Sequence, residues 1–133
     1  MDYAFSYEIE VRDYELDIQG IVNNAIYLHY LEMTRHAFCL REGLSFADMH
    51  AKGLDPVLRK AKLEYLSPLR AEDKFLSCLN LARKGPRFIF YQDLFRLPDM
   101  APVLRAEMTL VCLQNGVISR GDELAEVFHK YLS

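Results

Sequence analysis

The sequence lacks an excess of basic residues, a long apolar run and an N-terminal targeting segment. It has 16 Lys and Arg against 19 Asp and Glu, for a net charge of −3. A general nucleic-acid binder needs a basic excess to displace counterions, so this charge argues against one. No run approaches the ~18 apolar residues that a membrane helix requires. The first residues have neither the basic start nor the apolar core of a signal peptide. These absences predict a globular protein that binds neither nucleic acid nor membrane.

Cysteines are few and odd in number. Cys39, Cys78 and Cys112 are scattered, and each lies in an apolar stretch. Buried free thiols in a reducing compartment explain this pattern best, so we expect a cytoplasmic protein. The chain also has no internal repeat, no low-complexity tract and no linker. Since 133 residues is close to the commonest domain size, residues 1–133 are predicted to form a single domain.

The stretch from Asp17 to Glu42 organises the rest of the chain. It begins as a polar loop and then shows apolar residues at spacings of three and four, which predicts one long helix over Ala25–Glu42. Asn23 or Asn24 is the expected N-cap, because an amide oxygen can accept a free N–H group of the first turn. The sequence therefore places an acid, Asp17, on a short loop before a helix N-terminus.

The remaining sequence alternates with a period of two, which is typical of half-buried strands. The predicted strands are residues 5–11, 56–66, 73–84, 87–97 and 102–114. Short helical segments are expected at 45–52 and 121–132, and a tight turn at Asn115-Gly116. Consecutive strands with short connections form an antiparallel sheet, and the early helix must lie across its apolar face. The fold class is therefore α+β.

The common catalytic motifs are missing. There is no GxSxG elbow, no phosphate-binding GxxxxGK[ST] and no GxGxxG after a strand. His29, Glu32 and His36 share one helix face, but HExxH and paired ExxH motifs are absent. Glu32 can instead pair with a neighbouring cation one turn away. We therefore predict no metal site.

Asp17 has two interpretations. Aspartate two residues before Gln19-Gly20 is common in turns, where it bonds to the backbone, and position alone favours that role. The alternative is a catalytic carboxylate beside a helix N-terminus.

The run VRDYELDIQGIVNNAIYLHYLEMTR, residues 11–35, strengthens the catalytic interpretation. It resembles the signature of hotdog-fold acyl-CoA thioesterases of the 4-hydroxybenzoyl-CoA thioesterase type. In that signature, a strand ending in V-R precedes a pair of acids, a G-[IHV]-V-x-[NY] segment and a helix carrying Y-x-x-Y-x-E-x-x-R. A weaker similarity follows at Tyr65, Pro68 and Asp73.

This resemblance implies a hotdog fold, in which a five-stranded antiparallel sheet wraps around the long helix. It implies that Asp17 is the catalytic carboxylate, acting as nucleophile or as general base, with Glu15 a secondary candidate. It places the carbonyl-polarising backbone N–H near Asn24. The neighbouring residues expected to bind substrate are Gly20, Ile21, Val22, Asn23 and Tyr27. The family also implies a homodimer or homotetramer with sheets joined edge to edge, and no cofactor beyond the coenzyme A that is part of the substrate.

Basic residues flank the Gly85-Pro86 turn. Arg83, Lys84 and Arg87, with Arg59 as a weaker candidate, could bind the anionic nucleotide of coenzyme A, because an acidic protein must concentrate positive charge locally to do so. The alternative is that they are ordinary solvated charges.

The predicted function is hydrolysis of an aromatic or aliphatic acyl-CoA. An acyl group carried on a protein-bound pantetheine, as in an acyl-carrier-protein thioesterase, is an alternative substrate. Hydration of an enoyl thioester is a second possibility, but that chemistry generally uses an Asp–His pair, and no histidine accompanies Asp17 in its loop. A non-catalytic acyl-binding module is the third.

Overall fold

A computed structural model describes residues 2–132. Its sheet has five long antiparallel strands in the order β1-β3-β4-β5-β2, and a short strand β6 pairs with β5. The strands are β1 (Phe5–Glu10), β2 (Leu54–Tyr65), β3 (Lys74–Lys84), β4 (Arg87–Leu97), β5 (Ala101–Gln114) and β6 (Val117–Ile118). The helices are α1 (Ile26–Arg41), α2 (Phe46–Ala51) and α3 (Asp122–Val127), with 3₁₀ turns at Asp13–Glu15 and His129–Tyr131.

The sheet curls around α1, and the predicted α+β hotdog architecture is confirmed. Tyr30, Leu31 and Phe38 on α1 are fully buried. The Tyr30 ring lies 4.8 Å from that of Phe75 on β3, and the Phe38 ring stacks 5.3 Å from that of Phe128 after α3. The core therefore fills the concave side of the sheet and fixes the long helix against it.

The sheet has six strands rather than the five predicted. Asn115 and Gly116 both adopt positive φ, 52° and 83°, as the central residues of a two-residue hairpin do. The chain therefore turns back after β5 and adds β6. The predicted C-terminal helix is also divided, because α3 ends at Val127 and the 3₁₀ turn follows separately.

The start of α1 differs from the prediction. The helix begins at Ile26 with Ala25 as its N-cap residue, and no side chain caps it. The Asn23 side-chain oxygen instead accepts the N–H of Ala25 at 2.9 Å, from a position two residues before the N-cap residue. The predicted asparagine cap is therefore wrong.

A bulge in β2 changes which residues face the core. The pairing with β5 shifts between Leu58 and Lys60, so Arg59 is the extra residue. Leu58 consequently lies on the same side of the sheet as its pairing partner Leu110, where it lines a cavity and stays 44% exposed. Beyond the bulge Ala61 and Leu63 pair with Met108 and Ala106, and Leu63 packs against the core whereas Ala61 is exposed.

Two further findings concern the cysteines and the hydrophobic character of the helices. All three cysteines are free and buried, as predicted. Within residues 2–132 no helix combines the length and apolar character needed to cross a bilayer.

Candidate active site

A tight turn holds Asp17 in a fixed position. The Asp17 N–H donates to the Ile21 carbonyl at 2.8 Å, and the Gly20 N–H donates to the Asp17 carbonyl at 3.1 Å. Gly20 has φ 80°, a conformation that glycine adopts without the penalty of a Cβ. The Val22 N–H then donates to the Leu69 carbonyl at 2.8 Å, which anchors the turn to the segment between β2 and β3.

The Asp17 carboxylate divides its oxygens between two environments. Oδ1 accepts the Gln19 N–H at 2.8 Å and the Ile21 N–H at 3.4 Å, as an aspartate in a turn does. Oδ2 has no hydrogen-bond donor within residues 2–132. The turn therefore orients the half-buried side chain and leaves one carboxylate oxygen available for a substrate or water.

Glu15, the other acid of the pair, points into the protein. It is only 6% exposed, and its Oε1 accepts the Arg12 N–H and the Tyr30 hydroxyl, each at 2.8 Å. Burial and this hydrogen bond to Glu15 raise the pKa of Tyr30. The Glu15 carbonyl also accepts the Asn23 N–H at 3.0 Å. Glu15 thus anchors the loop to α1, and its carboxylate is occupied by protein donors.

The chain just before α1 offers an open donor. The Asn24 N–H has no acceptor within residues 2–132, and the residue is exposed. The Asn24 carbonyl accepts a hydrogen bond from the Tyr65 hydroxyl at 3.1 Å, which holds Asn24 against the end of β2. An unsatisfied N–H at the positive end of a helix can bind an oxygen that acquires negative charge.

Aromatic rings form the wall beside this donor. Tyr27 is buried, its ring lies 5.4 Å from that of Tyr65, and its hydroxyl accepts the Leu69 N–H at 3.3 Å. Burial raises the pKa of Tyr27, and the charges of Tyr65 and Asp17 add to the shift. Tyr65 is a residue of this region that the sequence indicated only through the weaker similarity at 65–73.

The structure thus brings together Asp17, Gly20, Ile21, Val22, Asn23, Asn24 and Tyr27. Exposed apolar side chains lie on the same loop, where Ile18 is 103% and Tyr14 78% exposed. They supply an apolar rim against which an acyl group or another subunit could pack.

The predicted nucleotide-binding cations lie elsewhere. Lys84 and Arg87 share one row of the sheet with Val111 and Val57, whereas Tyr65 lies at the opposite end of β2. Eight residues of strand separate the two ends, about 26 Å at ~3.3 Å per residue. Within one chain, therefore, these cations are not beside Asp17.

Arg83 and Arg59 have different surroundings. The Arg83 guanidinium donates to the Arg120 carbonyl at 2.6 Å and to Asp122 at 2.7 Å, so it links β3 to the start of α3. Arg59 is exposed at the bulge of β2.

Lys84 and Arg87 belong to a larger basic cluster, which we define as Lys60, Lys62, Lys84 and Arg87. These four residues surround one shallow pocket on the outer face of the sheet. Glu107 also lines it, and its carboxylate lies 3.9 Å from the Lys62 ammonium. The sequence does not connect Lys60 and Lys62 with the Gly85 turn, because only strand pairing brings them together.

The helical histidines form no cluster with other ligands. Within residues 2–132 no group of three or more His, Cys, Asp or Glu side chains could hold a metal ion. The His36 ring instead packs 4.3 Å from that of Phe46.

A free carboxylate oxygen on a rigid turn and an open N–H before a long helix suit chemistry at an acyl carbonyl. Comparison with known proteins agrees with chemistry at an acyl carbonyl. Residues 11–130 match the thioesterase-like superfamily, and the chain belongs to that family.

Three similar proteins illustrate the relationship. The chloroplastic acyl-acyl carrier protein thioesterase ATL3 of Arabidopsis thaliana is 36% identical over 109 residues, which are 81% of this chain and 57% of ATL3. The chain therefore spans less than two thirds of that relative. The crystal structure of a hypothetical protein from Aquifex aeolicus has 34% identity and a TM-score of 0.85, covering 92% of this chain and 98% of that one. YbaW of Escherichia coli, a probable thioesterase, has 28% identity and a TM-score of 0.82, with coverage of 96% and 98%.

Proposed function

We propose that this protein hydrolyses acyl thioesters to a free acid and a thiol. Two observations carry the proposal. Within residues 2–132 Asp17 Oδ2 has no hydrogen-bond donor and the Asn24 N–H has no acceptor, and backbone hydrogen bonds fix the turn of Asp17 and the adjoining segment before α1. Membership of the thioesterase-like superfamily supports it.

In this proposal the substrate carbonyl oxygen accepts the Asn24 N–H, which stabilises the developing negative charge. Asp17 then attacks the carbonyl carbon and displaces the thiolate, and water hydrolyses the resulting mixed anhydride. Alternatively, Asp17 removes a proton from water, which attacks directly. Both routes give the same acid and thiol. Neither route uses a metal, and coenzyme A takes part only as a portion of the substrate.

The substrate is proposed to be an acyl-CoA, aromatic or aliphatic, on the resemblance of residues 11–35 to the 4-hydroxybenzoyl-CoA thioesterase type. The similarity to ATL3 supports a second candidate, an acyl group on a carrier protein. The hydrogen bonds that Asp17 accepts within its own turn favour a third, a non-catalytic acyl-binding module. A cytoplasmic location stays a prediction, supported by the three free thiols.

A panel of acyl-CoA and acyl-pantetheine substrates separates these functions. We expect steady-state release of free thiol, measured with a thiol-reactive dye. An enzyme that hydrates enoyl thioesters would change the acyl chain without releasing thiol, and a binding module would do neither. Absence of thiol release from every substrate on the panel would contradict the proposal.

We further propose that two chains pair edge to edge through β2. β2 is a twelve-residue edge strand, and an unpaired edge of this length is usually covered. In an antiparallel pair centred on the middle of β2, the Val57 end of one strand lies beside the Tyr65 end of the other. The basic cluster of one subunit then approaches the Asp17 region of its partner, which would join the two separated parts of the predicted site.

Sedimentation and subunit mixing test this arrangement. We expect a dimer or tetramer at micromolar concentration. Co-expressed Asp17→Asn and Lys84→Ala/Arg87→Ala chains should regain about one quarter of wild-type activity at low acyl-CoA concentration, because half of the dimers carry one intact shared site. A stable monomer, or mixed chains no more active than the average of the two variants, would contradict a shared site.

A further inference from the structure

Arg35 is a buried cation that forms no salt bridge with any acid of residues 2–132. It is 6% exposed, and its Nη1 donates to Gln92 Oε1 at 3.0 Å. Gln92 is fully buried and donates in turn to the Leu31 carbonyl at 3.1 Å, so it is fixed in place. Within residues 2–132 Arg35 forms no salt bridge. Burying a charge beside only a neutral acceptor is unfavourable unless something else completes its interactions.

The remaining donors of Arg35 face a cavity. A guanidinium carries several N–H groups, and within residues 2–132 only the hydrogen bond to Gln92 uses one of them. No fully buried side-chain nitrogen or oxygen in the described chain lacks a hydrogen-bond partner. The nitrogens of Arg35 without an acceptor must therefore reach open space, and Arg35 lines a cavity of about 190 Å³ between α1, α2, β2 and α3.

Most of this cavity is apolar. Its walls include Phe46, Met49, Phe90, Leu110 and Phe128. The low polarity disfavours the charged form of ionisable groups in the wall. Burial raises the pKa of the Cys39 thiol to about 12 and lowers the pKa of Arg35.

Two other ionisable groups lie at the cavity, both on the exposed side of α1. Glu32 raises the pKa of Arg35 through its charge but forms no salt bridge with it. The ring of His36 packs on Phe46. Arg35 is therefore the cation that the interior of the cavity presents.

We propose that this cavity binds the carboxylate of a small apolar acid, with the Arg35 guanidinium as its partner and the aromatic walls around its hydrocarbon part. Guanidinium and carboxylate match in geometry and form strong charge-assisted hydrogen bonds. A cavity of about 150 Å³ holds benzene, so this one has room for benzoate. Two kinds of molecule could supply this carboxylate. One is a free acid, and the other is an acyl thioester whose acyl group carries a second carboxylate at its far end. The second source rests on the proposed thioesterase function, and the first does not.

Benzoate and benzamide are the matched probes, since they share a shape and differ in charge. At pH 8, where an ordinary histidine is neutral, we expect calorimetry to show benzoate binding at least ~10-fold more tightly than benzamide. Arg35→Gln should abolish that preference. Arg120→Gln, which removes an exposed arginine outside the cavity, should preserve it.

The source of the carboxylate is tested by turnover. If the far end of an acyl group reaches Arg35, Arg35→Gln should lower kcat/KM for adipoyl-CoA and leave hexanoyl-CoA unchanged. A protein that binds benzoate but shows no such difference takes the free acid. A protein that hydrolyses no thioester can still prefer benzoate, so failure of the proposed function leaves the binding test intact.

Equal affinity for benzoate and benzamide in the wild-type protein would overturn the proposal, even if Arg35→Gln failed to fold. Retention of the benzoate preference in a folded Arg35→Gln protein would also overturn it.

Discussion

Replacing Asp17 by Asn should lower kcat at least ~100-fold while the melting temperature and oligomeric state stay near wild type. Asn keeps an oxygen that can accept the Gln19 and Ile21 N–H groups, so the turn should survive. What Asn loses is the negative charge of the carboxylate, including that on Oδ2, which has no hydrogen-bond donor within residues 2–132. Steady-state thiol release, together with a thermal melt, measures both consequences.

The turn itself supplies the matched control. Asp17→Ala removes the oxygen that accepts the two backbone N–H groups, so this variant should lose stability as well as activity. If Asp17 serves only the turn, Asn should retain turnover, and the deficit of Ala should follow its lower stability. Near-normal turnover in a well-folded Asp17→Asn protein would contradict the mechanism.

Removing Lys84 and Arg87 together should raise KM for acyl-CoA by about 10- to 100-fold, because each loses a charge-assisted contact to phosphate. The value of kcat should change little, since the nucleotide contributes equally to binding of the ground state and the transition state. A short acyl-pantetheine lacks the nucleotide and should keep its wild-type KM. The difference between the two substrates should shrink at high salt, as screening predicts.

Lys52→Ala with Arg120→Ala is the control, because it removes the same charge from residues outside the basic cluster. Arg83 is left intact because its guanidinium links β3 to the start of α3, and its loss would confuse binding with stability. Equal changes in KM for both substrates would show that Lys84 and Arg87 do not recognise the nucleotide.

The sequence by itself determined the architecture. Alternation with a period of two gave the five long strands, and spacings of three and four gave α1, because local burial imposes these periods. The turn at residues 17–21 was also predictable, since Asp and Gly have strong local preferences there. The cap of α1 could not be predicted from the sequence, because the Asn23 side-chain oxygen accepts the N–H of Ala25 in the turn before the helix.

Only the tertiary structure decided which polar groups face which neighbours. Glu15 and Asp17 are two residues apart in similar sequence surroundings, yet Glu15 is buried against Tyr30 and Asp17 keeps an oxygen free. Likewise, one extra residue at Arg59 placed Leu58 on the same side of the sheet as Leu110, which no periodic pattern could indicate.

Arg35 and the basic cluster depend on pairing across long sequence distances. On a helical wheel Arg35 is a polar residue beside the apolar stripe, and it becomes a buried cation only because Gln92, 57 residues away, lies opposite it in the core. Lys60 and Lys62 join Lys84 and Arg87 because β5 places β2 and β4 on its two sides. Sequence periodicity reports only which face of an element is apolar, whereas the contacts that create a site are set by which elements pack together.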